Sequence, residues 1–245
     1  GVTANLSANN VSGHFASQVF DSVNTNANWT NISIVTESAY GIEIGRHLND
    51  SNLKESNSIG INTSGLILLF HFNNESGENN SLVKDFSLES NPERIDGVRY
   101  NGTLTAGATY SANAIFGRYS GNFDGTNDFL DVGDHALVDV ATELSECAWV
   151  YHDTITADDD ITAKVDSSAT AGFVFHRDEL GAGSGRTDMY AIRILDSADT
   201  DTAALEGATG SSQTDVWVHV CFTYLSASTT GLRLYVNGLE DANSP

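Results

Sequence analysis

The first candidates for chemistry are acidic and amide side chains concentrated in residues 121–134. The stretch reads GNFDGTNDFLDVGD, and its polar residues are Asp124, Asn127, Asp128, Asp131 and Asp134. Calcium prefers such ligands, since this hard cation takes six to eight oxygen atoms. Asp124, Asn127 and Asp128 could share one ion on a tight hairpin, although their spacing is not that of an EF-hand. The same residue types also form turns without any metal, by bonding to their own backbone.

The sequence gives less support for a catalytic site. The seven histidines are scattered, and none has zinc-ligand spacing to another histidine or to a cysteine. A glycoside hydrolase needs two carboxylates facing the same bond. The segment ERID instead places Glu93 and Asp96 three residues apart, on opposite faces of a strand. The glycines of GAGSGR, 181–186, are not followed by a helical pattern, so they do not predict a phosphate loop. We therefore expect a protein that is not an enzyme.

Carbohydrate binding is a further option, because such sites combine exposed aromatic rings with Asp, Asn and Arg. The candidates opposite the predicted core face are Tyr151, Tyr190, Arg193 and Tyr235. The alternative is ordinary packing of aromatic and charged side chains on a sheet. The sequence alone leaves both readings open.

Strands must position these side chains, because helical periodicity is almost absent. Short β-rich runs alternate with clusters of Gly, Asn, Asp and Ser, which predicts an all-β protein. The predicted strands cover 14–20, 28–36, 66–72, 119–124, 128–132, 145–152, 172–177, 188–195, 216–224 and 231–237. Many short strands joined by turns are typical of an antiparallel β-sandwich or jelly roll.

The N-terminal part has a different character. The polar stretch 45–64 could be a linker, so that the N-terminal β-rich segment, 1–64, would consist of a small β element, 1–44, and this linker ahead of a main domain, 65–245. Apolar residues alternate with polar ones at the very start, at Val2, Ala4, Leu6 and Ala8. This pattern predicts either an edge strand of the same molecule or a strand donated to a neighbouring copy.

The charge balance limits the partners. The chain has 11 basic and 33 acidic residues, for a net charge of -22. Such a surface repels nucleic acid and anionic lipid, and it suits cations or a salty medium. The longest apolar run, Leu66 to Phe72, is far shorter than the roughly 18 residues of a membrane span.

Glycosylation motifs are concentrated in the first part of the chain. The nine N-x-[ST] motifs lie at Asn5, Asn10, Asn28, Asn31, Asn49, Asn62, Asn74, Asn79 and Asn101. Residues 1–103 thus have nine of their 17 asparagines in motifs, whereas residues 104–245 have none of five. We interpret this bias as that of a secreted glycoprotein. Its two cysteines, Cys147 and Cys221, could form a disulfide in an oxidising compartment or remain two buried thiols.

Five segments in chain order resemble laminin G-like domains of the concanavalin A-like lectin/glucanase superfamily. They are GLILLFHFNNESG, LVKDFSLESNPERIDGVRYNGTLTAGATY, FGRYSGNFDGTNDFLDVGD, LSECAWVY and DVWVHVCFTYLSASTTGLRLYVNGL, and together they span about residues 65–240. The resemblance implies a concanavalin A-like sandwich. Since this family has many functions, it is weak evidence for any one of them.

The resemblance also implies roles for single residues. Asp85 matches an aspartate that often contributes to a structural calcium site. The hairpin around Gly125 and the strand after it would place Phe123, Leu130 and Val132 inward. Trp149 and Trp217 would be core aromatics, and Asn237-Gly238 a type I′ turn. Cys147 and Cys221 would lie on strands that are close together, which favours the disulfide.

One departure from the family concerns the C-terminal strands. Relatives continue after the NG turn with roughly three further strands, whereas this sequence ends at Pro245. Either the sequence is cut short here, or the resulting gap is filled by residues 1–64 of the same chain or by the alternating N-terminal strand of a neighbour.

These observations predict a secreted, non-enzymatic, structural or adhesive cell-surface glycoprotein, with itself or surface glycans as partners. It could be a filament or coat subunit completed by an N-terminal donor strand. The alternative is a carbohydrate-binding module supported by structural Ca²⁺.

Overall fold

Two four-stranded antiparallel sheets pack face to face in the computed structural model of the chain. The structure describes residues 3–8, 11–16, 65–87, 98–135, 142–154, 159–165, 172–178, 188–195, 201–208, 210–226 and 228–245. The chain divides into two compact units, Gly1–Gly41 and Ile42–Pro245. The predicted linker, 45–64, lies outside the described residues.

Fourteen strands are found within the described residues. They are β1 (Thr3–Ala8), β2 (Val11–Ala16), β3 (Thr103–Thr105), β4 (Thr109–Ser111), β5 (Ser120–Asn122), β6 (Phe129–Asp131), β7 (Glu143–Tyr151), β8 (Asp159–Lys164), β9 (Gly172–Asp178), β10 (Met189–Leu195), β11 (Asp201–Glu206), β12 (Trp217–Leu225), β13 (Arg233–Val236) and β14 (Leu239–Glu240). The strand order is β11-β10-β9-β8 in the first sheet and β14-β13-β12-β7 in the second.

The main core lies between these two sheets. The sequence of β12, WVHVCFTYL, alternates so that Val218, Val220 and Phe222 are buried on the inner face. Phe222 packs against Phe173 and Phe175 of the first sheet, at ring-centroid distances of 5.9 and 5.1 Å. Strand β10 is buried along almost its whole length, which explains its nearly continuous apolar sequence.

Two small sheets, β3-β6 and β4-β5, surround a second apolar cluster. Its buried members are Val83, Leu104 and Ala108, and Leu130 packs against them. The N-terminal unit contains the β1-β2 hairpin, in which Ala8 pairs with Val11.

The predicted antiparallel β-sandwich is confirmed. Predicted strands at 145–152, 172–177, 188–195, 216–224 and 231–237 correspond to β7, β9, β10, β12 and β13. The predicted turn at Asn237 and Gly238 is also confirmed, because both residues have positive φ, 51° and 77°, and Val236 pairs with Leu239. The predicted strand at 28–36 lies outside the described residues.

Two expectations about the smaller cluster are wrong. Residues 66–72 form no strand: the Leu69 N–H donates to the Asp85 side chain, and the Leu69 carbonyl oxygen accepts the Phe86 N–H at 2.9 Å. The predicted hairpin around Gly125 is also absent from the described pairings, since β5 pairs with β4 and β6 pairs with β3. Gly125 does adopt a positive φ of 72°, within the loop that joins these two small sheets.

One carboxyl group points into the main sandwich. Glu146 lies on the inner side of β7, between Leu144 and Ala148, which both pack against the core. The Thr162 hydroxyl of β8 donates a hydrogen bond to it. Burial raises the pKa of Glu146 to about 7, and the Thr162 hydrogen bond only partly opposes that rise.

This buried acid should make stability depend on pH. The pKa of Glu146 rises from 4.5 to about 7 on folding. The stability that this group contributes is therefore fully present below pH 4.5 and is lost as the pH rises through about 7. The loss is about 3 kcal/mol. Glu146→Gln mimics the protonated acid, so we expect its free energy of unfolding to exceed wild type by up to about 3 kcal/mol at pH 8 and to match it near pH 4.5.

Urea denaturation across this pH range measures both values. The matched control is Glu143→Gln, on the same strand but at an exposed position. A pH profile of Glu146→Gln that runs parallel to that of wild type would contradict the assignment.

Candidate functional site

The outer face of the second sheet carries three consecutive cross-strand pairs between β7 and β12. These pairs are Cys147 with Cys221, Trp149 with His219, and Tyr151 with Trp217. The ring centroids are 5.0 Å apart in the Trp149–His219 pair and 5.5 Å apart in the Tyr151–Trp217 pair. Directly opposed aromatic side chains stabilise such a sheet.

A loop between β4 and β5 supports these rings. Phe116 meets Trp149 edge-on, with ring centroids 5.6 Å apart. Asn113 accepts a hydrogen bond of 3.3 Å from the indole Nε1 of Trp217. We call the surface formed by Phe116, Trp149, Tyr151, Trp217 and His219 the aromatic face. The rings contact both the opposite strand and the β4–β5 loop, yet Trp149 remains 41% exposed.

Polar groups border the aromatic face. The Tyr151 hydroxyl lies 3.5 Å from the Asp215 carboxylate, to which it donates. Partial desolvation, and then the Asp215 charge, raise the pKa of Tyr151, so this hydroxyl stays protonated. Burial lowers the pKa of His219, which favours a neutral imidazole beside Trp149. The face therefore offers aromatic rings, a hydroxyl, an amide and a carboxylate.

A disulfide closes one end of this ladder. The sulfur atoms of Cys147 and Cys221 are 2.13 Å apart, and the His219 ring nitrogens lie 3.7 and 3.8 Å from the Cys221 sulfur. The three side chains have the proximity of a metal-ligand set. Because both sulfurs are consumed in the disulfide, neither is available as a thiolate ligand. The bond instead ties β7 to β12 beside the rings.

Asp85 serves a structural purpose. Its side chain is fully buried and accepts hydrogen bonds from the backbone N–H groups of Leu69, Ser87 and Tyr100, at 3.1, 2.9 and 3.1 Å. Its own N–H donates to Asn101 Oδ1 at 3.0 Å. One carboxylate thus connects three places in the backbone, and it adds to the β-bridge that Val83 forms with Gly102.

The other predicted calcium ligands lie elsewhere. Asp128 accepts the Asp124 N–H at 3.1 Å, and Asp124 in turn accepts the Thr126 N–H at 2.8 Å. Asp128 Oδ1 packs near Gly107 and is buried without a hydrogen-bond partner in the described part of the chain. Such an oxygen is compatible with a cation.

These two groups do not form a single site. Asp85 accepts the N–H of Tyr100, which precedes β3. Asp128 Oδ1 lies near Gly107, which follows the other end of β3. Tyr100 and Thr105 are separated by on the order of 15 Å, at about 3.3 Å per residue of extended chain. A calcium ion with ligands at roughly 2.5 Å cannot bridge them. Asn127 is exposed on the Asp124–Asp128 loop.

Several expected orientations are reversed. Trp149 was expected in the core, but it shares the outer face of β7 with Cys147 and Tyr151. Trp217 also faces outward and is half-buried. Phe123, expected inside, is 43% exposed, although its ring still contacts Phe72.

The residues predicted to bind carbohydrate are divided among three places. Tyr190 is fully buried in the main core, so it cannot lie on a binding surface. Arg193 is exposed on the first sheet. Tyr151 belongs to the aromatic face, and Tyr235 lies next to it, across from Cys221. The alternation in β12 is a signal for the aromatic face. Val218, Val220 and Phe222 form the purely apolar set, which predicts that the other set, with Trp217 and His219, faces outward.

The predicted glycosylation and strand-donation residues are only partly described. Asn74 and Asn79 are exposed, and Asn101 is half-buried with its Oδ1 bound to the Asp85 N–H. Asn5 lies on β1. The motifs outside the described residues are Asn10, Asn28, Asn31, Asn49 and Asn62, and Val2 also lies outside them. Ala4, Leu6 and Ala8 lie on β1, which pairs with β2 of the same chain.

Comparison with known families agrees with this architecture. Residues 124–245 match a laminin G-like family model described as the concanavalin A-like lectin/glucanases superfamily. This half of the chain belongs to that superfamily, whose members fit carbohydrate-binding or adhesive roles. Searches of curated proteins and of solved structures gave no significant match. Within the described residues, no helix has the length and apolar character that crossing a membrane requires.

The structural role of Asp85 can be tested by an isosteric change. Asp85→Asn leaves one acceptor oxygen and turns an amide N–H₂ toward a backbone donor. We expect the free energy of unfolding to fall by about 2–4 kcal/mol, because buried N–H groups lose a charged acceptor. Urea denaturation in the presence of EDTA measures this loss.

Asp124→Asn is the control, since its carboxylate is exposed; it should change stability by less than about 1 kcal/mol. A loss at Asp85 that appears only with calcium present would contradict the amide-binding role and support Asp85 as a calcium ligand.

Proposed function

We propose that this protein is a non-enzymatic, extracellular adhesion module that binds carbohydrate on the aromatic face. The observation that carries the proposal is the paired ladder of Trp149 with His219 and Tyr151 with Trp217, on the open side of a rigid sheet. The 41% exposure of Trp149 makes it the central contact.

The chemistry of the aromatic face suits a sugar. One face of a pyranose ring presents C–H groups that stack on an aromatic ring, while its hydroxyls need donors and acceptors at the edge. Tyr151, Asp215 and Asn113 supply such groups around the two tryptophans. Because the rings are already braced by Phe116 and the disulfide, little side-chain freedom is lost on binding.

Binding is favoured over hydrolysis. A glycoside hydrolase needs a carboxylic acid that its surroundings keep protonated, together with a second carboxylate. The carboxylates that act on Tyr151 are Asp153 and Asp215, and both are exposed. Neither has the buried setting that a general acid usually requires.

The extracellular assignment rests on two features. Nine glycosylation motifs lie in residues 1–103. The Cys147–Cys221 disulfide suits an oxidising compartment. Calcium support is proposed for the loop of Asp124, Asn127 and Asp128, where Asp128 Oδ1 has no hydrogen-bond partner among the described residues.

Self-assembly through the N-terminal strand is a second candidate. Residues Gly1–Gly41 form their own compact unit, and the β1-β2 hairpin lies within it. A hairpin that forms as a separate unit is suited to adding its edge to a sheet of another copy. In a filament of this kind, each copy would present one aromatic face, which would increase avidity for a glycan-covered surface.

The carbohydrate proposal predicts a selective loss of binding in Trp149→Ala. We expect glycan affinity to fall at least tenfold, since truncating a central aromatic contact typically costs more than 1.4 kcal/mol. A glycan array identifies the ligand, and calorimetry with that ligand measures the affinity in calcium and in EDTA.

The control is Phe129→Ala, which removes a 49% exposed ring outside the aromatic face and should leave affinity unchanged. Wild-type affinity in Trp149→Ala with an unchanged melting temperature would exclude the aromatic face. Binding that is equal in calcium and in EDTA would exclude calcium support alone.

The assembly candidate predicts that a charge on the apolar side of β1 blocks polymer formation. Leu6→Asp should give monomers where the unaltered chain forms polymers, whereas Ser7→Asp, on the opposite face, should not. Light scattering and electron microscopy of the purified protein at micromolar concentration measure the size. Monomeric wild-type protein, or polymers of Leu6→Asp, would refute strand donation.

A further inference from the structure

Arg177 is a buried cation whose hydrogen-bonding capacity is largely unused. Its side chain has no exposed surface, although it lies near the end of β9. Nε is 3.3 Å from Asp159 Oδ2, close enough for an ion pair but without hydrogen-bond geometry. Nη1 and Nη2 have no hydrogen-bond partner in the part of the chain that the structure describes.

Three more buried polar atoms accompany this guanidinium. Tyr190 pairs with Arg177 across β9 and β10, and its hydroxyl has no partner among the described residues. The His152 ring lies 5.9 Å from the Tyr190 ring. His152 Nε2 and the Ser212 hydroxyl are likewise buried and unpartnered within the described segments. We call Arg177, Tyr190, His152 and Ser212 the Arg177 cluster.

The fold brings the Arg177 cluster together at one end of the sandwich. His152 follows β7 directly, Arg177 is near the end of β9, and Tyr190 is near the start of β10. The loop before β12 completes the arrangement: the Ser212 N–H donates to the Asp188 carbonyl oxygen, and the Asp215 N–H donates to the His152 carbonyl oxygen. The four side chains therefore come from four separate chain segments.

The Arg177 cluster contains several hydrogen-bond donors and one positive charge. An arginine remains charged at any physiological pH, and a buried charge whose hydrogen-bond donors are unsatisfied is costly. Burial, and then the Arg177 charge, lower the pKa of His152, so the imidazole adds no second positive charge. Asp159 approaches only Nε and is itself 35% exposed. The Nη1 and Nη2 edge is left to another acceptor.

We propose that the Arg177 cluster binds a small oxyanion, such as sulfate or the carboxylate of a small organic acid. Two anionic oxygens would accept from Nη1 and Nη2 in the bidentate geometry that guanidinium favours. The Tyr190 hydroxyl, on the residue paired with Arg177, can donate to a remaining oxygen atom. This site is distinct from the aromatic face, and it does not depend on the carbohydrate proposal.

The acidic surface limits the affinity that we expect this site to have for an anion. A net charge of -22 opposes the approach of any anion, so long-range attraction cannot recruit one. Binding must come from local contacts with the buried guanidinium, and we expect a dissociation constant in the millimolar range. Water could also accept from Nη1 and Nη2, but it supplies no negative charge.

A sulfate titration of the purified full chain tests the proposal. The melting temperature is followed at constant ionic strength, with chloride as the replaced salt. Sulfate raises protein stability generally, in a roughly linear manner. A bound ion adds a component that saturates. We expect both components in wild type and in Arg193→Gln, an exposed arginine on the same sheet. Arg177→Gln should retain only the linear one.

A second variant covers the case in which Arg177→Gln does not fold. Tyr190→Phe keeps the ring in the core and removes only the hydroxyl, so it should weaken sulfate binding about fivefold to tenfold. Competition by formate would extend the ligand class to carboxylates, and its failure would restrict the site to tetrahedral oxyanions; either result supports an oxyanion site.

A crystal grown with selenate locates the ion directly. We expect an anomalous peak within hydrogen-bond distance of Nη1 and Nη2. The proposal is overturned by ordered water alone at this position, by the lack of a saturating component in wild type, or by unchanged sulfate affinity in both Arg177→Gln and Tyr190→Phe.

Discussion

Nine residue pairs join β7 to β12, and their register determines both faces of the second sheet. Successive side chains of a strand point to opposite sides, so a single register places Val218, Val220 and Phe222 in the core and Cys147, Trp149 and Tyr151 outside. A shift by one residue would bury the cysteines and indoles and expose the valines. The core therefore specifies the aromatic face, because burying the apolar set orients the aromatic set outward.

The smaller half of the molecule is organised differently. Around Asp85, backbone N–H groups are satisfied by one carboxylate rather than by a ladder. A buried carboxylate with several amide donors can hold irregular chain segments that have no neighbouring strand. Residues 66–72 have a strand-like composition without being a strand, and their Leu69 N–H is one of the groups that this carboxylate binds. Their apolar side chains, including Phe70 and Phe72, are used in the second cluster.

Sequence patterns predicted the sandwich and its long strands because alternation and continuous apolar runs are local signals. Strands β9 and β10 follow directly from them. The direction in which a tryptophan faces is a non-local property, since it depends on which alternate set meets the other sheet. The family resemblance placed Trp149 in the core, although its neighbours Ala148 and Val150 form the inner set. Tyr190 shows the opposite error, since it was expected on the outer face and lies in the core.

The aromatic face lies in the more acidic part of the chain. Residues 104–245 carry 6 basic and 22 acidic residues, a net charge of -16, and the aromatic face lies on this same acidic part. Stacking of a neutral sugar on aromatic rings needs no charge complementarity, and at physiological salt the surrounding carboxylates are screened beyond about 8 Å. An acidic surface and an aromatic binding face are thus compatible, whereas an anionic ligand would need a cation shielded from that surface. The only fully buried arginine among the described residues, Arg177, meets this requirement, since it lies inside the sandwich and away from solvent.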